Sequence, residues 1–350
     1  MVTLTEAASY SKKIVVYGIL IVIFLILIVI AWGLVRDYIE SQRPEPGIIT
    51  TNGFGQLPKL NFPEQQNRPS FLTLQTIQGG VPEASPVARV YKTESGSTGL
   101  LTAKKAQQFA ISQGFNPTPT TKTATEHIFS DPSYPARTLT YTLASGNFDL
   151  VYDLNLDKSP IEGNKVSTDT RLALAEATAL MQNTGKLVPT LKNGIQKVNY
   201  YKYINGEEVL SQNRLEANLV RVDFFQEPVD SMEIKTADPN KSSVFITFTG
   251  KIDQRQRLIR FHYQLSPIDI DSIQTYPIKA GNVAWEELVN GGGYVVNIGT
   301  GNETRVFVRD AYFAYYDPGD PHEYLQPIYV LTGDRGFEAY IQAIDPAWVQ

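Results

Sequence analysis

Leu258-Ile-Arg-Phe-His-Tyr-Gln-Leu265 alternates strictly. Ile259, Phe261, Tyr263 and Leu265 share one face, and Arg260, His262 and Gln264 share the other. That pattern predicts a half-buried antiparallel strand. Working outward, Val244–Thr249 and Leu215–Phe225 read as further strands. Gln196–Ile204 and Glu208–Leu210 flank Asn205-Gly206, the strongest two-residue hairpin signal. Arg137–Leu143 and Phe148–Leu154 flank a second turn at Ser145-Gly146-Asn147. Phe71–Ile77 reads as a first strand, and Tyr294–Ile298, Arg305–Tyr316, Gln326–Leu331 and Phe337–Ile344 as the last ones.

Three helices interrupt the strands. Thr102–Gln113 carries Ala103, Ala106, Phe109 and Ala110 as its apolar stripe, with Thr102 as expected cap and Gly114 as stop. Thr168–Asn183 ends at Gly185. Val283–Val289 takes Asn282 as expected cap, with Glu286 and Glu287 near its positive end. The expectation is an α+β chain: antiparallel sheets, each covered by a short helix, in two or three consecutive small modules. The boundaries fall at 71–160, 161–276 and a Tyr-rich 277–350.

Ahead of these modules lies Ile14–Val35, IVVYGILIVIFLILIVIAWGLV, 22 residues without a charge. As a helix it is roughly 33 Å long, enough to cross a hydrocarbon core. It is longer than a signal-peptide core and exits through Trp32, Val35 and Arg36 rather than a small-residue cleavage site. The expectation is one transmembrane helix, with residues 1–13 cytoplasmic on the strength of Lys12 and Lys13. The body then lies outside the cytoplasm. Residues 36–70, dense in proline and glycine, read as an extended tether holding the body off the membrane.

The chain has no cysteine and a net charge of −5. A body of this size needs no disulfides, which suits a bacterial envelope. The acidic balance and the lack of a Lys/Arg cluster argue against nucleic acid as a partner.

Candidates for chemistry are few. His127, His262 and His322 have no metal-ligand spacing, so no metal and no cofactor is expected. Gly96-Ser97-Thr98-Gly99 lacks the G-x-S-x-G spacing of a nucleophile elbow. Gly291-Gly292-Gly293 ends a helix, and Gly299-Thr300-Gly301 joins two strands, so turn geometry explains both. Asp317, Asp320, His322 and Glu323 gather carboxylates and an imidazole in seven residues, compatible with Ca²⁺ or with a polar hairpin loop. Asp269 and Asp271 are a weaker pair. Tyr312, Tyr316 and Tyr324 are the candidate partner surface, since tyrosine is enriched in interface centres; a core face is the competing reading.

The C-terminal stretches AWEELVNGGGYVVNIG, VFVRDAYFAYYDP and YLQPIYVLTGDRGFEAYIQAI resemble the last module of extracytoplasmic regulators of the YycH/YycI type. They are also similar to PepSY-like α+β modules. The resemblance covers about residues 277–344 and the N-terminal anchor layout. It implies a non-enzymatic protein that binds and restrains another membrane or envelope protein, and it carries no site residue. Together these readings give a single-pass, membrane-anchored extracytoplasmic binding and regulatory protein. A structural scaffold of an envelope assembly, or an enzyme acting on cell wall or peptide, is the alternative.

Overall fold

In the computed structural model, β12 (Leu258–Tyr263) sits inside a nine-stranded sheet. It lies antiparallel between β6 (Phe148–Tyr152) and β11 (Val244–Phe248). Phe261 and Tyr263 are buried, and Arg260 and His262 half-buried, as the alternation demands. Ile259 departs from it. Phe248 opposes Leu258 while Thr247 opposes Arg260, which leaves Ile259 as the extra residue of a bulge. It packs on the other face of the sheet, with Tyr152, Leu154, Tyr201 and Leu219.

The structure describes residues 50–64, 67–77, 79–81, 86–94, 96, 98–163, 165–299 and 305–350. The Ile14–Val35 stretch, the expected N-terminal segment 1–13 and residues 36–49 lie outside them. Among the described residues, no helix is long and apolar enough to cross a membrane.

The nine-stranded sheet runs β3 (Thr121–Lys122), β4 (Glu126–Ser130), β5 (Arg137–Thr142), β6, β12, β11, β9 (Leu219–Phe224), β7 (Gln196–Ile204), β8 (Glu207–Leu210). All its pairs are antiparallel. The β7–β8 turn places Asn205 and Gly206 at φ 54° and 93°, as an Asn-Gly hairpin turn requires. One face is covered by α1 (Leu100–Ser112), α2 (Thr170–Asn183) and the short α3 (Pro189–Asn193). Ala106 and Ala110, and likewise Ala173 and Ala177, stand four residues apart on one helical face. Their small side chains let the helices approach Phe129, Leu139, Leu150 and Phe261. Gly99, not Thr102, is the cap of α1; the Thr102 hydroxyl instead donates back to the Gly99 carbonyl at 2.7 Å. Asp169 caps α2 by accepting the Arg171 N–H. The single-turn α4 (Gln254–Arg257) delivers Arg257 to Glu176 of α2, with two contacts of 2.6 Å.

The second sheet has eight strands: β1 (Phe71–Leu74), β2 (Val87–Thr93), β10 (Ile234–Lys235), β13 (Ile268–Pro277), β14 (Tyr294–Asn297), β15 (Arg305–Tyr316), β16 (Tyr324–Gly333) and β17 (Glu338–Gln342). It is antiparallel except where β1 and β10 lie parallel to β15. Helix α5 (Gly281–Val289) buries Ala284 and Leu288 against it. Ala280 is its cap, and Asn282 falls inside the first turn.

The architecture is thus α+β and dominated by antiparallel sheet, but strand pairing crosses the expected module boundaries. β6 and β12, assigned to different modules, are neighbours, and β1 and β2 join the C-terminal sheet. Separate modules would each leave unpaired edges; sharing sheets covers them. Residues 50–350 form one compact unit.

The far half of the Pro/Gly-rich segment is a second correction. From Thr50 onward it is docked on the body rather than free. Leu57 is fully buried and bridges Val349, Leu60 is buried, and Arg68 donates to the Gly292 carbonyl at the end of α5. Phe54, Leu57, Leu60 and Phe62 supply the apolar groups.

Candidate functional site

Helix α1 presents two stripes. Ala106 and Ala110 face the core. Leu100, Ala103, Lys104 and Gln107, at i, i+3, i+4 and i+7, face a groove instead. The opposite wall is Pro117-Thr118-Pro119, Lys122, His127 and Phe129, and the groove between them, open to solvent, holds about 550 Å³.

Local hydrogen bonds fix that wall. The Asn116 and Thr120 N–H groups donate to the Ser130 and Ile128 carbonyls at 3.0 and 2.8 Å. The Asn116 side chain accepts the Thr118 N–H at 3.0 Å. The loop that carries Pro117 and Pro119 is therefore laid along β4. Lys122 of β3 stands directly opposite His127 of β4 in register, so the two side chains share one face.

His127 is the informative residue. It is 4% exposed, on the helix-covered side of β4 with Phe129. The two rings meet edge-on at 6.1 Å. Among the described residues the imidazole has no hydrogen-bond partner, yet it lines the groove. Burial, and then the Lys122 ammonium, hold it below the usual imidazole range. The groove's lining residues carry two ammonium groups and this imidazole but no carboxylate. Its floor and ends are apolar: Leu100, Ala103, Pro117, Pro119 and Phe129. Such a lining would suit a group that is part apolar and part anionic.

A second depression, of about 490 Å³, lies between α1 and α2. Its Arg137 and Arg255 both reach the buried Asp131, at 2.9 and 3.3 Å. Its charges are matched within the protein.

The residues singled out in sequence are placed elsewhere. Tyr316 is fully buried, its ring 4.8 Å from Phe62 and 6.1 Å from Tyr340. Tyr312 is half-buried, with the Lys235 ammonium 5.7 Å from its ring. Tyr324 is half-buried against Phe54 at 5.0 Å. The three do not form an exposed partner surface, because the docked Pro-rich segment covers the sheet face that Tyr312 and Tyr316 share.

In the 317–323 loop, the buried Asp317 accepts from Gly319 N–H at 2.8 Å and Ser243 hydroxyl at 3.2 Å. His322 Nδ1 is 3.9 Å from Asp317 and 2.9 Å from the Asp320 carbonyl. Among the described residues, no three His, Asp or Glu side chains gather to hold a metal ion. Asp269 accepts the Asp271 N–H at 3.1 Å, inside an irregularity of β13. Gly291 and Gly293 take positive φ at the end of α5, and Thr300 and Gly301 lie outside the described residues.

No known family profile matches the chain, and no curated protein does. A solved structure, that of an uncharacterized protein from Eubacterium rectale, is similar to it, with a TM-score of 0.40 and 8% identity over 77% of this chain and 87% of that one.

Proposed function

We propose that this chain is a single-pass, membrane-anchored binding and regulatory protein of the bacterial envelope. Residues 1–13 are cytoplasmic, Ile14–Val35 span the membrane, and the body lies outside and engages another envelope or membrane protein. The observation that supports a binding role is the α1–β4 groove. There a nine-tenths-buried imidazole without a partner faces an open, cation-rimmed and apolar-floored depression. The imidazole nitrogens make no hydrogen bond among the described residues and open onto the groove, so a bound group can pair with them in place of water.

Two measurements on the full-length chain in cells test the reading. The chain has no cysteine, so an Ile252→Cys variant carries a single thiol at a fully exposed position. Labelling of intact cells by a membrane-impermeant maleimide is expected; labelling only after lysis would place the body on the cytoplasmic side. A photo-crosslinking residue at Gln107, on the groove rim, is expected to capture one specific envelope or membrane protein. That adduct should vanish when Leu100 is changed to Arg. Diffuse adducts insensitive to Leu100→Arg would sink the partner reading.

A further inference from the structure

We infer that the α1–β4 groove is a seat for a single-chain lipid with an anionic head, a carboxylate or a phosphate monoester. This deepens the binding reading above and rests on it. Three observations converge. The polar groups at the rim are of one sign or neutral: Lys104 from α1, Lys122 from β3, His127 from β4, with Gln107 and Thr118 as neutral hydrogen-bonding groups. Both lysines are exposed, and no salt bridge engages either among the described residues. Their ammonium groups are available to a ligand oxygen.

The floor explains the tail. Leu100 is 89% exposed at the groove's edge, and Ala103, Pro117, Pro119 and Phe129 continue the apolar surface inward. An acyl chain laid on this surface would remove the Leu100 side chain from water. A volume of about 550 Å³ falls in the range of small-ligand pockets, roughly 300–1,000 Å³. The charge pattern then selects the head. His127 lines the groove beside Lys122, so an oxygen placed there gains an N–H donor and the Lys122 ammonium, with Lys104 on the facing helix wall. A cationic or sugar head leaves those donors unmatched. A free anion such as inorganic phosphate satisfies the donors but leaves the apolar floor bare.

The test uses the full-length chain in phosphatidylcholine nanodiscs and four water-soluble probes: octanoate, octyl phosphate, octyltrimethylammonium and inorganic phosphate. Calorimetry measures affinity, and acylation footprinting by mass spectrometry reads which lysines are shielded. Octanoate or octyl phosphate should bind at one site and protect Lys104 and Lys122, whichever of the two binds tighter naming the natural head. Octyltrimethylammonium and inorganic phosphate should bind about tenfold or more weaker. Lys104→Glu and Lys122→Glu, both at exposed positions, should each weaken the anionic probes about tenfold or more, and His127→Gln should weaken them less.

Equal affinity for octanoate and octyltrimethylammonium overturns the inference, as does binding untouched by both lysine reversals. Failure here with a specific Gln107 adduct intact would make the groove a protein seat and leave the binding reading standing. Anionic amphiphile binding without any protein adduct would support the lipid seat and remove the protein partner.

Discussion

The Phe62 ring lies 4.8 Å from the Tyr316 ring, tilted by 58°. A residue from the proline-rich segment thus roofs the tyrosine face of the C-terminal sheet, with Leu60 and Tyr294 beside it. Because Phe62 is half-buried, Phe62→Ala is expected to cost about 1–3 kcal/mol, below the range for a fully buried phenylalanine. Chemical denaturation checks the loss. Tyr316, buried in the parent chain, is expected to resist tyrosine-selective reagents there and to become reactive in the variant.

Asp223 is fully buried and accepts from the Arg221 guanidinium at 2.7 and 3.0 Å and from the Ser242 N–H at 2.8 Å. Burial pushes its carboxyl up in spite of Arg221. Removing one partner strands the other charge, so Asp223→Ala should cost about 3–5 kcal/mol. The double change Arg221→Met with Asp223→Leu should cost less than Asp223→Ala alone, measured by denaturant midpoint at constant m-value.

Asp149 carries a pH signature. Burial alone would raise its carboxyl, but His262 and Arg260 together pull it below the ordinary 3.8. Its folded-state pKa is therefore depressed. The contribution is present above 3.8 and is lost as pH falls below it. Unfolding free energies of the parent and of Asp149→Asn should differ at about pH 6 and converge towards about pH 3. A constant gap across that window would contradict the assignment.

Lys186 is ringed by Tyr263, Phe148, Tyr141 and Phe109, its ammonium 4.6 to 5.9 Å from their centroids, and donates to the Gly146 carbonyl at 2.8 Å. Burial first, and then the charge of Lys105, lower it to about 8 from 10.5. Between those values the unfolded chain holds more protons than the folded one, so this residue makes stability rise with pH across that window. An NMR titration of methyl-labelled lysines should show one resonance with a midpoint near 8. Lys186→Met should abolish both that signal and the pH slope.

The α+β class and most local elements were legible because they are written in short-range pattern. The Asn205-Gly206 and Ser145-Gly146-Asn147 turns call for positive φ, and both hairpins form around them. The alternation in β12 fails at Ile259, where a bulge in the pairing with β11 turns one side chain to the other face. What the sequence hid is long-range. Nothing local says that Phe71–Leu74 lies parallel to Arg305–Val308, or that Leu60 and Phe62 cover Tyr316. The groove was hidden for the same reason. Lys104 and Lys122 come together only through the packing of α1 on β4, and a lone His127 carries no motif. One signal was readable: Leu100, Ala103, Lys104 and Gln107 repeat at helical spacing on a stripe apart from Ala106 and Ala110, which marks a second helix face in use.

The docking of the segment that begins at Thr50 also sets a timetable. The Leu60 N–H meets the Gln342 side chain across a separation of 282 residues, and Leu57 exchanges backbone hydrogen bonds with Trp348 and Gln350. A chain emerging from a ribosome or a translocon presents Leu57 and Leu60 early and their partners very late. Closing so long a loop is slow. Until Gln342 arrives, the tyrosine face stays open to chaperones and proteases. The seam between these two distant stretches therefore closes only after residue 342 has emerged, and a pause in synthesis anywhere between residues 60 and 342 lengthens the vulnerable interval.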